Sequence, residues 1–141
     1  MRAKEYLNYI RTLDTRIEEI NKSISDLRSK ATSIRSSGDF QKDMVQGSGY
    51  PEDEIACTVA KINEYELKCN KILDEYIDKK VEAIEIMGRM ESGLYIKLLS
   101  LRYFEGLDWK SVAERLCFSI PHTYKLHGWA LLEFQKAMDK K

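Results

Sequence analysis

Apolar and charged residues alternate along the amino-terminal stretch with a helical period. Ala3, Tyr6, Ile10, Leu13, Ile17, Ile20, Ile24, Leu27, Ala31 and Ile34 are separated by alternating steps of three and four. This heptad seam predicts an amphipathic helix of roughly 30 residues, about 45 Å at 1.5 Å per residue. Arg11, Asp14, Arg16, Glu18, Glu19, Lys22, Asp26, Arg28 and Lys30 fall between the seam positions and solvate the remaining surface. A single apolar stripe has nothing to bury itself against, so the helix must pair with a second copy or with a later helix of the same chain.

The pattern breaks at Ser36-Ser37-Gly38-Asp39 and again at Gly47-Ser48-Gly49-Tyr50-Pro51, which predicts a loop over 36–50. Loops of this length are uncommon between helices and are usually functional or partly disordered. Phe40, Met44 and Val45 offer apolar groups to pin it. Pro51 suits a first helical position, and Glu52, Asp53 and Glu54 complement the positive end of a helix over 51–87. Steps of three and four from Ile55 give Val59, Ile62, Glu66, Cys69, Leu73, Tyr76, Lys80, Ala83 and Met87, while Tyr65, Ile72, Ile77, Val81 and Ile84 widen the apolar face. A face that broad predicts more than one neighbour. The expected arrangement is a coiled-coil-like antiparallel hairpin over 1–90, with surplus apolar surface for dimerisation or for docking the carboxy-terminal part.

Shorter helices are expected from 91 to 141, after Gly88 and Gly93. Ser92 can cap a helix containing Leu94, Leu98, Leu99 and Leu101, Asp108 one over Trp109 to Leu116, and Ser119 a third with Pro121 in its first turn. Val112, Ala113 and Leu116 supply an inner face to the second of these, and Thr123 and Leu126 face back from the third. Two helices packed steeply across a tight turn, a helix-turn-helix, need this pattern. Such turns usually carry Gly four residues after the small inner residue, and here Cys117 occupies that place. A positive φ there costs Cys on the order of 1 kcal/mol relative to Gly. Trp109 and Trp129 fall at positions expected to pack in the core, and Gly128 interrupts a helix at a cost of up to ~1 kcal/mol against Ala. Either close approach of a neighbouring backbone or a functional contact accounts for it.

Composition narrows the class without changing the fold, which is expected to be all-α. With 141 residues, 43% apolar and 33% charged, the chain suits one ordinary domain or two small ones and excludes a disordered tail. Neither a membrane span nor a secretory signal is apparent, so a cytoplasmic protein is expected. Three cysteines without a Cys-x-x-Cys pair argue against a disulfide framework or zinc knuckle. A net charge of zero hides a division: formal charge is +3 over 1–35, −6 over 36–93 and +3 over 94–141. The basic carboxy-terminal part allows nucleic-acid contact, and the acidic middle suits a basic partner.

Leu107-Asp108-Trp109-Lys110-Ser111-Val112-Ala113-Glu114-Arg115-Leu116, then Phe118-Ser119 and Ala130-Leu131-Leu132-Glu133-Phe134, resembles region four of bacterial sigma factors, which reads the −35 promoter element. Leu101-Arg102-Tyr103-Phe104-Glu105-Gly106 matches that domain's lead-in helix. The whole layout, including the Val45-Gln46-Gly47-Ser48 loop, is similar to small phage and prophage proteins of the RinA and ArpU types of late transcriptional regulator. The resemblance implies double-stranded DNA as a partner, with Ser119, Pro121, His122, Tyr124, Lys125 and His127 on the helix that enters the major groove. Lys110, Arg115 and Lys125 are the expected phosphate contacts. Sigma recognition helices are rich in Arg, Glu and Gln, whereas this one offers one Lys, two His and a Tyr, which implies a weaker or more shape-dependent readout.

No catalytic constellation or cofactor motif is apparent, and His122 and His127, five apart, miss the i, i+4 spacing of helical metal ligands. The expected function is a non-enzymatic, sequence-selective, phage-type transcriptional regulator, with the amino-terminal helices forming a dimer or contacting RNA polymerase. Two alternatives stand beside it: an interaction module that binds polymerase or another phage protein without touching DNA, and a small terminase-like packaging subunit.

Overall fold

The computed structural model describes residues 2–38 and 51–140. Five α-helices follow in order: α1 (Ala3–Gly38), α2 (Pro51–Met87), α3 (Gly93–Leu99), α4 (Trp109–Leu116) and α5 (Ile120–Asp139), with a π-helical turn, Ser100–Phe104, continuing α3. The protein is all-α, and no strand occurs among the described residues. None of these helices is long and apolar enough to cross a membrane. Helix α1 continues through Gly38, so the expected loop begins later than residue 36. The rest of that loop, with Phe40, Met44 and Val45, lies outside the described residues.

Packing divides the chain into two compact units, one formed by Met1–Asp14 with Glu75–Lys141 and the other by Thr15–Asp74. The sequence suggests a division near residue 90; packing divides the chain within the two long helices instead, because the amino-terminal turns of α1 and the last turns of α2 are buried with α3 to α5.

In the Thr15–Asp74 unit, α1 and α2 pair through Ile17 and Ile24 on one side and Thr58, Ile62 and Cys69 on the other. The Cys69 thiol meets Asn21 Oδ1 at 3.5 Å, and Arg28 donates to Glu66 at 2.6 Å, so rising numbers on α1 meet falling numbers on α2. That ion pair is largely exposed and contributes little, up to about 1 kcal/mol. The α2 seam differs from the expected line. It runs Thr58, Ile62, Tyr65, Cys69, Ile72 and Tyr76, leaving Val59 and Leu73 exposed. Both lines share every seventh residue; they differ in which intermediate position turns inward, and the wide apolar face left that choice open.

The other unit holds the main core. Tyr6, Leu7 and Ile10 of α1, Ala83, Ile86 and Met87 of α2, and Leu98, Leu99, Val112, Leu126, Ala130 and Phe134 form one buried cluster. The Ala3 N–H donates to Gln135 Oε1 at 2.7 Å, and the Tyr6 ring lies 6.1 Å from that of Phe134. Glu133 accepts from the N–H groups of Glu91 and Ser92 at 2.7 and 3.1 Å, fastening the connection after α2 to α5. Burial pushes the Tyr6 phenol up, as does the neighbouring Glu82 carboxylate. Ser92 caps α3 by accepting from the Tyr95 N–H at 3.3 Å. The π turn then places Arg102 and Tyr103 toward α4 and α5, and Gly106, two residues after its end, takes φ 70°.

Candidate nucleic-acid interface

Two capped helices and one strained residue shape this region. Asp108 caps α4, accepting from the Ser111 N–H at 2.8 Å, and this bond holds its carboxyl below the usual carboxylate range. At the other end Cys117 adopts φ 62°, ψ 38°, a left-handed conformation. The Cys117 N–H donates to Glu114 O at 3.2 Å and the Phe118 N–H to Ala113 O at 3.0 Å. These two bonds form a Schellman termination, which needs a left-handed residue and usually takes Gly. The chain reverses here, and Ser119 immediately caps α5 by accepting from the His122 N–H at 3.3 Å.

The inner faces meet as their residue sizes allow. Val112 and Ala113 are buried on α4, and Thr123 and Leu126 are buried on α5. The Thr123 hydroxyl, 0% exposed, donates to Ser119 O at 2.8 Å, so it carries no unpaired polar group into the core. With that side fixed, Pro121, His122 and Lys125 are exposed, Tyr124 is 51% exposed, and Ser119, Lys110 and Arg115 also lie at the surface. His122 stands edge-on to Phe118, ring centroids 4.9 Å apart.

His127 is placed differently from the others. Its Nε2 lies 2.7 Å from the Tyr103 hydroxyl, and its ring stands edge-on to Trp109 at 4.5 Å. Burial pushes its pKa down to about 4, with Lys4 and Arg102 adding in the same direction. At 100° per residue, position 127 lies only about 40° from Thr123 on the helix, hence on the inward side. It braces the fold and does not project with His122 and Lys125. The same rotation corrects the expectation for Trp129, which is 50% exposed and shares the face of His122 and Lys125 instead of entering the core. Leu132, 63% exposed, lies next to it. Trp109 packs against the core as expected. Gly128 has open space where a Cβ would project, so no neighbouring backbone within the chain requires it.

Comparison with protein-family models, curated proteins and solved structures finds no match.

Arg102 and Tyr103 were not singled out from the sequence, yet they connect this region. The Arg102 guanidinium stacks 4.5 Å over the Trp109 ring and donates to Leu107 O at 2.9 Å. Trp109 in turn stands edge-on to Tyr124 at 5.1 Å. Burial lowers the Arg102 pKa and so does nearby Arg11; burial raises that of the Tyr103 phenol. The placement of Arg102 in the lead-in segment just before α4 was the only sequence signal for it. Among the described residues no cluster of His, Cys, Asp and Glu is arranged to hold a metal.

Proposed function

We propose that α4 and α5 form a helix-turn-helix that docks α5 in the major groove of duplex DNA, and that the protein is a sequence-selective, phage-type transcriptional regulator. One observation carries this reading: the Cys117 reversal and the burial of Thr123 and Leu126 leave Pro121, His122, Tyr124 and Lys125 projecting from the first turns of α5. Those turns are the part of a recognition helix that meets base edges. Lys110, Arg115 and Lys125 are the proposed phosphate contacts, with Ser119 fixing the start of the helix. His127 is left out of the contact set because its ring faces Tyr103 and Trp109.

In this reading the amino-terminal helices form a dimer or engage RNA polymerase. Ile77, Val81 and Ile84, each about half exposed on α2, support such a use. Selection from a random duplex library, followed by gel shift with His122→Ala/Lys125→Ala, tests the reading. The double variant is expected to lose most of its affinity for the selected sequence while its thermal unfolding stays near that of the parent. Unchanged affinity would reject α5 as the reading helix.

A second reading, a protein-interaction module without DNA contact, is favoured by Trp129 and Leu132. Both line a cleft of about 560 Å³ with Tyr95, Arg89 and Lys136. Exposed tryptophans beside a cleft are common anchors of protein interfaces. Absence of salt-dependent binding to random duplex at low ionic strength would favour this alternative.

A further inference from the structure

Two exposed apolar rows lie in the unit formed by Met1–Asp14 with Glu75–Lys141, and the charges beside them are of opposite sign. On α2, Ile77, Val81 and Ile84 fall at i, i+4 and i+7, and each is about half exposed. The exposed carboxylates Asp78 and Glu85 run beside this row. Lys79 and Lys80, the cations of the same stretch, lie over the rings of Tyr6, Tyr76 and Phe104 at 5.2 to 5.5 Å, which holds them to their own unit. On α5, Lys125, Trp129, Leu132 and Lys136 fall at i, i+4, i+7 and i+11, so two exposed apolar side chains are bracketed by two exposed ammonium groups. The carboxylates of that half of α5 are already engaged: Glu133 accepts from the Glu91 and Ser92 N–H groups, and Asp139 from the Gln135 amide at 3.2 Å. Among the described residues Asp78, Glu85, Lys125 and Lys136 form no ion pair.

Charge decides which partner fits each row. Pairing either row with its own copy brings like charges together, carboxylates on α2 or ammonium groups on α5, and like charges across an interface cost affinity. Pairing α2 of one copy with α5 of another sets carboxylates against ammonium groups. The spacing agrees. Trp129 and Leu132 are two knobs for the two gaps between Ile77, Val81 and Ile84, as ridges of one helix enter grooves of the next. At 1.5 Å per residue Lys125 and Lys136 stand about 16.5 Å apart and Asp78 and Glu85 about 10.5 Å apart, a difference that flexible four-carbon stems take up. Gly128, with open space where a Cβ would project, leaves a notch one turn before Leu132 for an isoleucine of the other helix. We propose that the protein self-associates head to tail, the row of Ile77, Val81 and Ile84 of one copy docking on Trp129 and Leu132 of a second. Every copy carries both faces, so the contact closes into a pair or ring or extends further. The proposal goes beyond the DNA-reading role of α5 and does not depend on it.

Charge reversal on each face, followed by mixing, tests the contact. Sedimentation velocity at about 100 µM protein and about 50 mM salt populates a small interface held partly by exposed charge. The wild-type protein is expected to sediment above the monomer there. Lys125→Glu/Lys136→Glu and Asp78→Lys/Glu85→Lys should each be monomeric alone, because both faces of either variant then carry the same sign. Their equimolar mixture should associate again: the native α2 row of the first variant meets the native α5 row of the second, and the two reversed faces also match. A monomeric wild-type protein, a variant that keeps the wild-type size alone, or a mixture that stays monomeric would each overturn the proposal. Circular dichroism melts establish that the variants fold. Should either fail to fold, Trp129→Ala, at an exposed position, is expected to weaken self-association about tenfold or more, and unchanged association would overturn the contact. No DNA enters the experiment, so its failure leaves the proposed reading of duplex by α5 standing.

Discussion

The two compact units are built from the same pair of helices and comparable heptad patterns, yet they bury their seams to different depths. In the Thr15–Asp74 unit, Ile17, Ile24, Ile62 and Cys69 each keep 6–9% of their surface in water. In the unit holding α3 to α5, Leu7, Ile10, Leu98, Leu99, Val112 and Phe134 keep none. The distinction lies in the number of neighbours and not in hydrophobicity: a two-helix seam is open along both edges, whereas the other core is closed by α3, α4 and α5. Side chains of equal size therefore stabilise the two units unequally.

Removing one large side chain from each unit should expose that inequality most clearly. Phe134→Ala is expected to cost about 3–5 kcal/mol, whereas Ile24→Ala, at a more open seam, should fall at the low end of its range, about 2 kcal/mol. Urea unfolding followed by circular dichroism measures both. Equal costs would mean that the Thr15–Asp74 seam is as enclosed as the other.

Acid should weaken the closed unit next. The His127 pKa falls from 6.5 to about 4 on folding, so the unfolded chain binds the proton more readily throughout that interval. The stability this imidazole contributes is complete above pH 6.5 and is lost as pH falls toward 4. Allowing for the part of the ring still in water, the loss is on the order of 1–2 kcal/mol. His127→Gln should remove this pH dependence, so the wild-type-minus-variant difference in unfolding free energy should fall as pH drops from 6.5 to about 4; a difference that stays constant over that interval would assign the acid sensitivity to other groups.

The smallest effects are gains. Cys117→Gly relieves a left-handed residue but frees the unfolded chain, for a net stabilisation of about 0.5–1 kcal/mol. Gly128→Ala, with open space for its methyl group, should stabilise α5 by a similar ~0.5–1 kcal/mol. A loss of duplex affinity in Gly128→Ala despite that gain would locate a close-approaching partner at this position. Differential scanning calorimetry resolves both changes.

Much of the carboxy-terminal geometry was legible because its signals are local. Ser92, Asp108 and Ser119 each cap the helix that follows, and Cys117 takes the positive φ its place in the pattern required. Side-chain direction was less legible. His127 and Trp129 were assigned by residue type and neighbourhood, when the rotation from Thr123 separates an inward imidazole from an outward indole. The α2 seam slipped for a related reason, since a face apolar on three sides has no single periodic solution until its neighbours are known. Nothing local marks the packing of Tyr6 near Phe134, which depends on α1 returning to the end of the chain.

That return has a consequence for biosynthesis. Leu7 and Ile10 share their buried cluster with Ala130 and Phe134, which lie far later in the chain. Until those later residues are synthesised, the α1 stripe has no α5 to close over it. Contacts between such distant segments form slowly, which exposes the nascent chain to misassociation and gives chaperones a long opportunity to bind it.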